Sequence, residues 1–218
     1  MRTFSSRFLA LALALVLLGI FIVAAATAAQ ENGPAGTLEG GYLPGYEAAV
    51  DAEGNIRVPA ADYGADWRLL GSWSIAGEEP GGGAAEFHVV YAQPGVIEAY
   101  RKTGTFPEGS VLVKELFSTV SEDMTTGHVS RAAARAGWFV MVKDSSGRFA
   151  DNPLWGEGWG WAYFDAADPA TPVTEDFQAE CVACHEPAKA SDWIYVEGYP
   201  VLGTVKEAKT GLPARMAQ

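Results

Sequence analysis

The stretch VLVKELF, residues 111–117, has the length and the aliphatic, β-branched content of a strand, and it is apolar on both faces. Alternation sends Leu112, Lys114 and Leu116 to one side and Val111, Val113, Glu115 and Phe117 to the other, so Glu115 points away from Lys114. An ammonium among leucines must find another partner, reach water along its stem, or give up its proton because desolvation lowers its pKa. Taken alone, the strand reads as a sheet edge from which Lys114 snorkels to water.

Outward from this stretch lie more runs of strand length: DWRLLGSWSI (66–75), EFHVVYA (86–92), WFVMVKD (138–144) and WGWAYF (159–164). A short helix fits QPGVIEAYRK (93–102), with Pro94 near its first turn. A second fits TPVTEDFQAECVACH (171–185), with Thr171 as cap, Pro172 at the first helical position, Glu175 and Asp176 favouring the N-terminal dipole, and Pro187 as the stop. EEPGGG (78–83) and STVSEDMTTGHVSRA (118–132) read as loops. The expected fold is α+β: a mainly antiparallel sheet with a few helices, the last carrying both cysteines.

The chain of 218 residues begins MRTFSSR, basic and free of acids, and continues through nineteen uncharged, apolar residues, 8–26. That is the layout of an export signal, with Ala26, Ala28 and Ala29 as cleavage positions. As a helix the run spans about 28 Å, so an uncleaved anchor is the alternative. We therefore expect a signal at 1–29, a Gly- and Pro-rich flexible leader at 30–60, one domain at 61–205 and a tail at 206–218, working in the periplasm. The formal charge of −12, more negative still without Arg2 and Arg7, argues against nucleic-acid binding and favours a basic partner.

Cys181 and Cys184 are the only cysteines, so an oxidising destination brings no disulfide framework. In Cys181-Val182-Ala183-Cys184-His185 they form the C-x-x-C-H sequence of covalent c-type haem attachment. On a helix the two thiols share a face and can meet two vinyl groups of one macrocycle, while His185 offers a nitrogen to the iron. Zinc would need four ligands, and the other histidines, His88 and His128, are far away in sequence without a second cysteine pair. A redox dithiol expects a βαβ setting, which the run of strands does not provide. For the iron's second axial position, Met124 falls in a polar loop, Met141 in a strand and Met216 in the tail. None is clearly placed to close it, which favours an open iron. In NPLWGEGWGWAYF (152–164), Trp159, Trp161 and Tyr163 share one face and Gly158, Gly160 and Ala162 the other; core packing and close approach of a flat ligand both suit this pattern. His88 shares its face with Glu86 and Val90, and reads as structural or, near an open iron, as a proton carrier.

From DWRLL at 66 to YPVL at 199–202, through EFHVVYAQP, YRKTGTFPEGSVLVKELF, RFADNPLWGEGWGWAYF and CVACHEPAKASDWIYVEGYPVL, the chain resembles the cytochrome P-460 family, which includes the cytochromes c′-beta. The resemblance implies an exported, dimeric, sheet-rich c-type cytochrome with His185 as proximal ligand and an open distal face. It further implies that Lys114 falls on the lysine that hydroxylamine-oxidising members join covalently to a porphyrin meso carbon, a bond that needs a neutral amine. His88 stands where well-known members carry a distal arginine, and Glu157 and Asp165 are the candidates for the family's distal carboxylate. Three functions follow: oxidation of hydroxylamine or nitric oxide with help from Lys114 and His88, capture of nitric oxide without turnover as in c′-beta, or electron carriage with a redox partner cytochrome and Met124 or Met141 on iron.

Overall fold

Val111–Met124 is a central strand. In the computed structural model, which describes residues 42–203, it is third of six in an antiparallel sheet. The strands are β1 (Arg68–Ala76), β2 (Ala84–Ala92), β3 (Val111–Met124), β4 (Gly127–Lys143), β5 (Trp155–Gly156) and β6 (Trp159–Asp165), in the order β1-β2-β3-β4-β6-β5. The edge reading of residues 111–117 is thereby corrected: β2 and β4 flank β3, with Lys114 opposite Val90 on one side and Phe139 on the other. The expected loop at 118–132 is also corrected. Its polar alternation continues β3 and β4 into a long hairpin turned at residues 125–126, so Met124 ends a strand, 56% exposed at the tip.

One face of the sheet carries Val111, Val113, Val140, Val142, Ala162 and Phe164. Each fully buried valine there contributes about 2 kcal/mol by leaving water. What covers this face is residues 42–67, including most of the segment expected to be a flexible leader. Helices α1 (Tyr46–Ala49) and α2 (Tyr63–Asp66) frame a turn in which Asp51 accepts hydrogen bonds from the backbone N–H groups of Glu53 and Asn55, closed by the Val50–Ile56 bridge. Tyr46, Ala49, Val50 and Ile56 are buried against the strands. The expected signal at 1–29, the leader up to residue 41 and the tail at 206–218 lie outside the described residues. Glu115 faces this rear layer and is paired with Arg135 at 2.7 Å, so Lys114 is left to the front.

The front face is covered by α3 (Val96–Thr103) and by the chain after β6: α4 (Phe177–Glu180), α5 (Val182–His185) and three 3-10 turns at Glu186–Ser191, Val196–Gly198 and Pro200–Leu202. The helix expected from Thr171 starts later. Residues 173–174 instead run beside β6, with the Val173 N–H donating to the Tyr163 carbonyl at 2.7 Å and the Tyr163 N–H to Thr174 Oγ1 at 2.9 Å. Asp176 is the actual cap, accepting from the Gln178 N–H at 2.9 Å. Helix α5 ends at His185, two residues before Pro187 as expected, and the chain continues as a 3-10 helix with Pro187 in its first turn, where its missing N–H is no loss.

Two glycines let this layer lie close to the sheet. A Cβ on Gly71 would come 2.6 Å from the Gly198 carbonyl oxygen, and one on Gly198 would come 2.0 Å from the Trp73 ring. Gly71→Ala is expected to lower stability by roughly 1–3 kcal/mol, because backbone cannot yield as a side-chain tip does; denaturant unfolding measures it. Gly160 makes a close approach of another kind: its Cβ would meet Ile56 and Trp155 at 2.8 and 2.9 Å. The small-residue face of residues 158–162 thus serves packing against the rear layer.

Candidate functional site

Between the front face of the sheet and the C-terminal layer lies a cavity of about 560 Å³, within the range of small-molecule and cofactor sites. Its floor is a grid set by strand register. One row is Leu112, Met141 and Trp161; the next is Val90, Lys114 and Phe139; the next is His88 and Leu116, with Glu86 beyond. Alternate residues place the rows about 7 Å apart. The opposite wall brings Cys181, Cys184 and His185. The cavity therefore gathers Lys114, His88, Cys181, Cys184 and His185, together with Met141.

His185 is held by its own layer. Its Nδ1 lies 2.8 Å from the Trp193 carbonyl oxygen, and since a carbonyl only accepts, Nδ1–H donates and Nε2 is left with its lone pair. The ring stands edge-on to Trp161, centroids 5.0 Å apart. Burial holds its pKa below the ordinary histidine value, the Trp193 hydrogen bond opposing and Lys114 adding to the fall. A neutral imidazole with one fixed N–H is the form that ligates a metal. Cys181 is buried and Cys184 exposed, both free thiols, and burial pushes Cys181 up to about 11. The Tyr195 hydroxyl donates to the Cys184 carbonyl, tying the Cys181–His185 turn to the following loop.

Lys114 sits with Nζ 4.4 Å from the centroid of the Phe139 ring. Among the described residues no carboxylate is in ion-pair contact with it, and desolvation lowers its pKa, with Cys184, Glu86 and Cys181 pulling weakly the other way. A half-buried amine over a ring face, without a counter-ion among the described residues, is closer to a nucleophile than to a surface cation. On the neighbouring strand, His88 Nε2 and Glu86 Oε2 are 2.8 Å apart. The histidine side chain is 15% exposed and the carboxylate 48%, so the pair leads from the cavity to solvent.

Other expected residues lie elsewhere. Glu157, in the β5–β6 turn, pairs with Lys189 at 3.6 Å, and Asp165, at the end of β6, accepts from the Ala167 N–H; neither lines the cavity. The carboxylate that does so beside a base is Glu86, whose signal was its place two residues before His88 on the same strand face. The Trp193 carbonyl had no sequence signal at all. His128 pairs with Asp123 near the hairpin tip, and no set of three or more His, Cys, Asp or Glu side chains gathers as a metal site among the described residues.

The sequence model of the Cytochrome P460 family matches residues 61–196, most of the chain. The chain belongs to the cytochrome P460 family. No curated protein matches it. A cytochrome P460 is a haem protein, and the residues present fit the group: an apolar cavity of adequate size, an imidazole with Nε2 free, and two free thiols on the same wall.

Proposed function

We propose that this cytochrome P460 is an exported c-type haem enzyme that oxidises hydroxylamine, and with it nitric oxide, in the periplasm. Cys181 and Cys184 would hold the haem as thioethers, His185 Nε2 would hold the iron, and Lys114 Nζ would bond to a ring carbon in place of its hydrogen, with two protons and two electrons passing to an oxidant such as peroxide from outside the chain. Bound there, the haem iron supplies the centre that accepts electrons from the nitrogen substrate. The chain's own part is to orient that substrate and remove its protons.

The observation that carries the reading is the His88–Glu86 pair in the cavity wall. Oxidation of an N–H or O–H compound releases protons, which must not accumulate in an apolar site. His88 stands one row beyond Lys114, and Glu86 reaches water at the far end of the hydrogen bond. A pocket that only captured nitric oxide would need neither group. The export-type N-terminus supports the periplasmic setting, and the acidic composition supports a basic redox partner cytochrome that takes the electrons away. A homodimer rests on the family resemblance.

The test is steady-state hydroxylamine consumption by the purified holoprotein with an external electron acceptor. Glu86→Gln and His88→Leu are each expected to slow turnover roughly 100-fold or more while leaving ligand binding to ferric iron intact. Variants that turn over at the wild-type rate would remove the relay. A wild-type protein that binds nitric oxide tightly and consumes no hydroxylamine would establish the capture function instead, and a methionine-to-iron charge-transfer band would assign Met141 as a ligand and the protein as an electron carrier.

A further inference from the structure

Three non-glycine residues among those described have positive φ: Glu157 (56°), Asp192 (60°) and Trp193 (66°). Each costs on the order of 1–3 kcal/mol and persists only where neighbours enforce it. All three lie at the joint between the sheet and the layer bearing His185. Glu157 pairs with Lys189, whose Nζ also stands 4.7 Å over the Trp193 ring. Asp192 Oδ1 accepts from Lys143 Nζ at 2.7 Å and from the Trp159 indole N–H at 3.3 Å. Lys143, the last residue of β4, is itself buried, 5.0 Å from the centre of the Trp159 ring. Two consecutive left-handed residues reverse the chain there, and the carbonyl that leaves the reversal is the one that accepts from His185 Nδ1.

We propose that Asp192, anchored on Lys143, is a positioning residue for the proximal ligand: the ion pair holds the left-handed turn that aims the Trp193 carbonyl at His185. This rests on the reading that His185 ligates the iron. A strong acceptor on Nδ1–H makes the imidazole a better electron donor, so the brace strengthens the iron–histidine bond and favours ferric iron. The sheet thus tunes the iron through a residue that touches neither cofactor nor substrate. Core packing of Trp159, Trp161 and Trp193 alone would fix the layer without requiring a charged pair at the reversal.

The test compares holoproteins in which the turn keeps or loses its anchor. Asp192→Asn tolerates the left-handed conformation but leaves only a neutral hydrogen bond beside a still charged, buried Lys143, so it is expected to move the iron–histidine frequency and the reduction potential in the same direction as loss of the anchor, and by less. Asp192→Gly tolerates the conformation without the anchor, and the double change Lys143→Met with Asp192→Asn removes the pair without stranding a buried charge. Both are expected to lower the frequency of the ferrous iron–histidine stretch in resonance Raman spectra and to raise the reduction potential. If the double variant folds and keeps both values unchanged, the brace is only structural and the proposal falls, whatever the glycine variant does. If the wild type shows no iron–histidine mode that disappears in His185→Gly, the ligand assignment fails first and the brace with it.

Discussion

Lys114→Met protein, matured in cells that attach haem c, is expected to carry haem on Cys181 and Cys184 alone and to absorb as an ordinary c-type cytochrome, whereas the wild type is expected to absorb strongly to the red. Peptide mass spectrometry checks the same point: in the wild type a fragment containing Lys114 is expected to be joined to the haem-bearing Cys181–Cys184 fragment, and in the variant to run free. The physical basis is the amine's surroundings. Between β2 and β4 it cannot snorkel at an edge, its neighbour Glu115 is spent on Arg135 behind the sheet, and Phe139 lies over it. Lys114→Arg keeps a charge that burial does not remove and is expected to behave as the methionine variant. The sign of the pH dependence follows from the lowered pKa. The amine is unreactive while protonated, so joining accelerates as pH rises and levels off below the value expected for an exposed lysine. A wild-type spectrum no different from that of Lys114→Met would end the cross-link.

His185→Gly is expected to reduce hydroxylamine turnover by more than roughly 100-fold, since loss of outer-shell partners alone costs about 10–100-fold and this change removes the ligand itself. With the haem held through both thiols as proposed, total haem is expected to be unchanged and only its axial coordination lost. Added imidazole, entering the space vacated beside Trp161, restores the ferrous iron–nitrogen stretch and part of the activity. Loss of haem from the polypeptide, or no response to imidazole, would count against His185 as the ligand.

Most strands were legible because half-buried and fully buried β segments differ from loops in their β-branched and aromatic content. The Cys181–His185 segment stood out in the sequence because its spacing is chemical. What failed has physical reasons. A polar hairpin looks like a loop when neither face meets a core, which hid the tip of β3 and β4. Residues 42–60 bury Tyr46, Val50 and Ile56 among glycines and prolines that signal turns, so packing overrode composition. Thr171 and Asp176 are both good caps, and the rungs of residues 173–174 against β6 decided for Asp176. The centrality of β3 could not be read from β3, since its edge or interior status is a property of its neighbours. The Trp193 carbonyl was invisible because a left-handed tryptophan has no propensity signal.

Cys181 and Lys114 belong to different layers, one above the cavity and one in its floor. A rigid prosthetic group bonded to both is therefore a clasp across the tertiary structure, closing a loop of roughly 70 residues. By chain entropy such a closure removes on the order of 4 kcal/mol of freedom from the denatured ensemble, comparable with a native disulfide. With export as proposed, a chain without a cystine framework would thus gain its covalent reinforcement from its own chromophore.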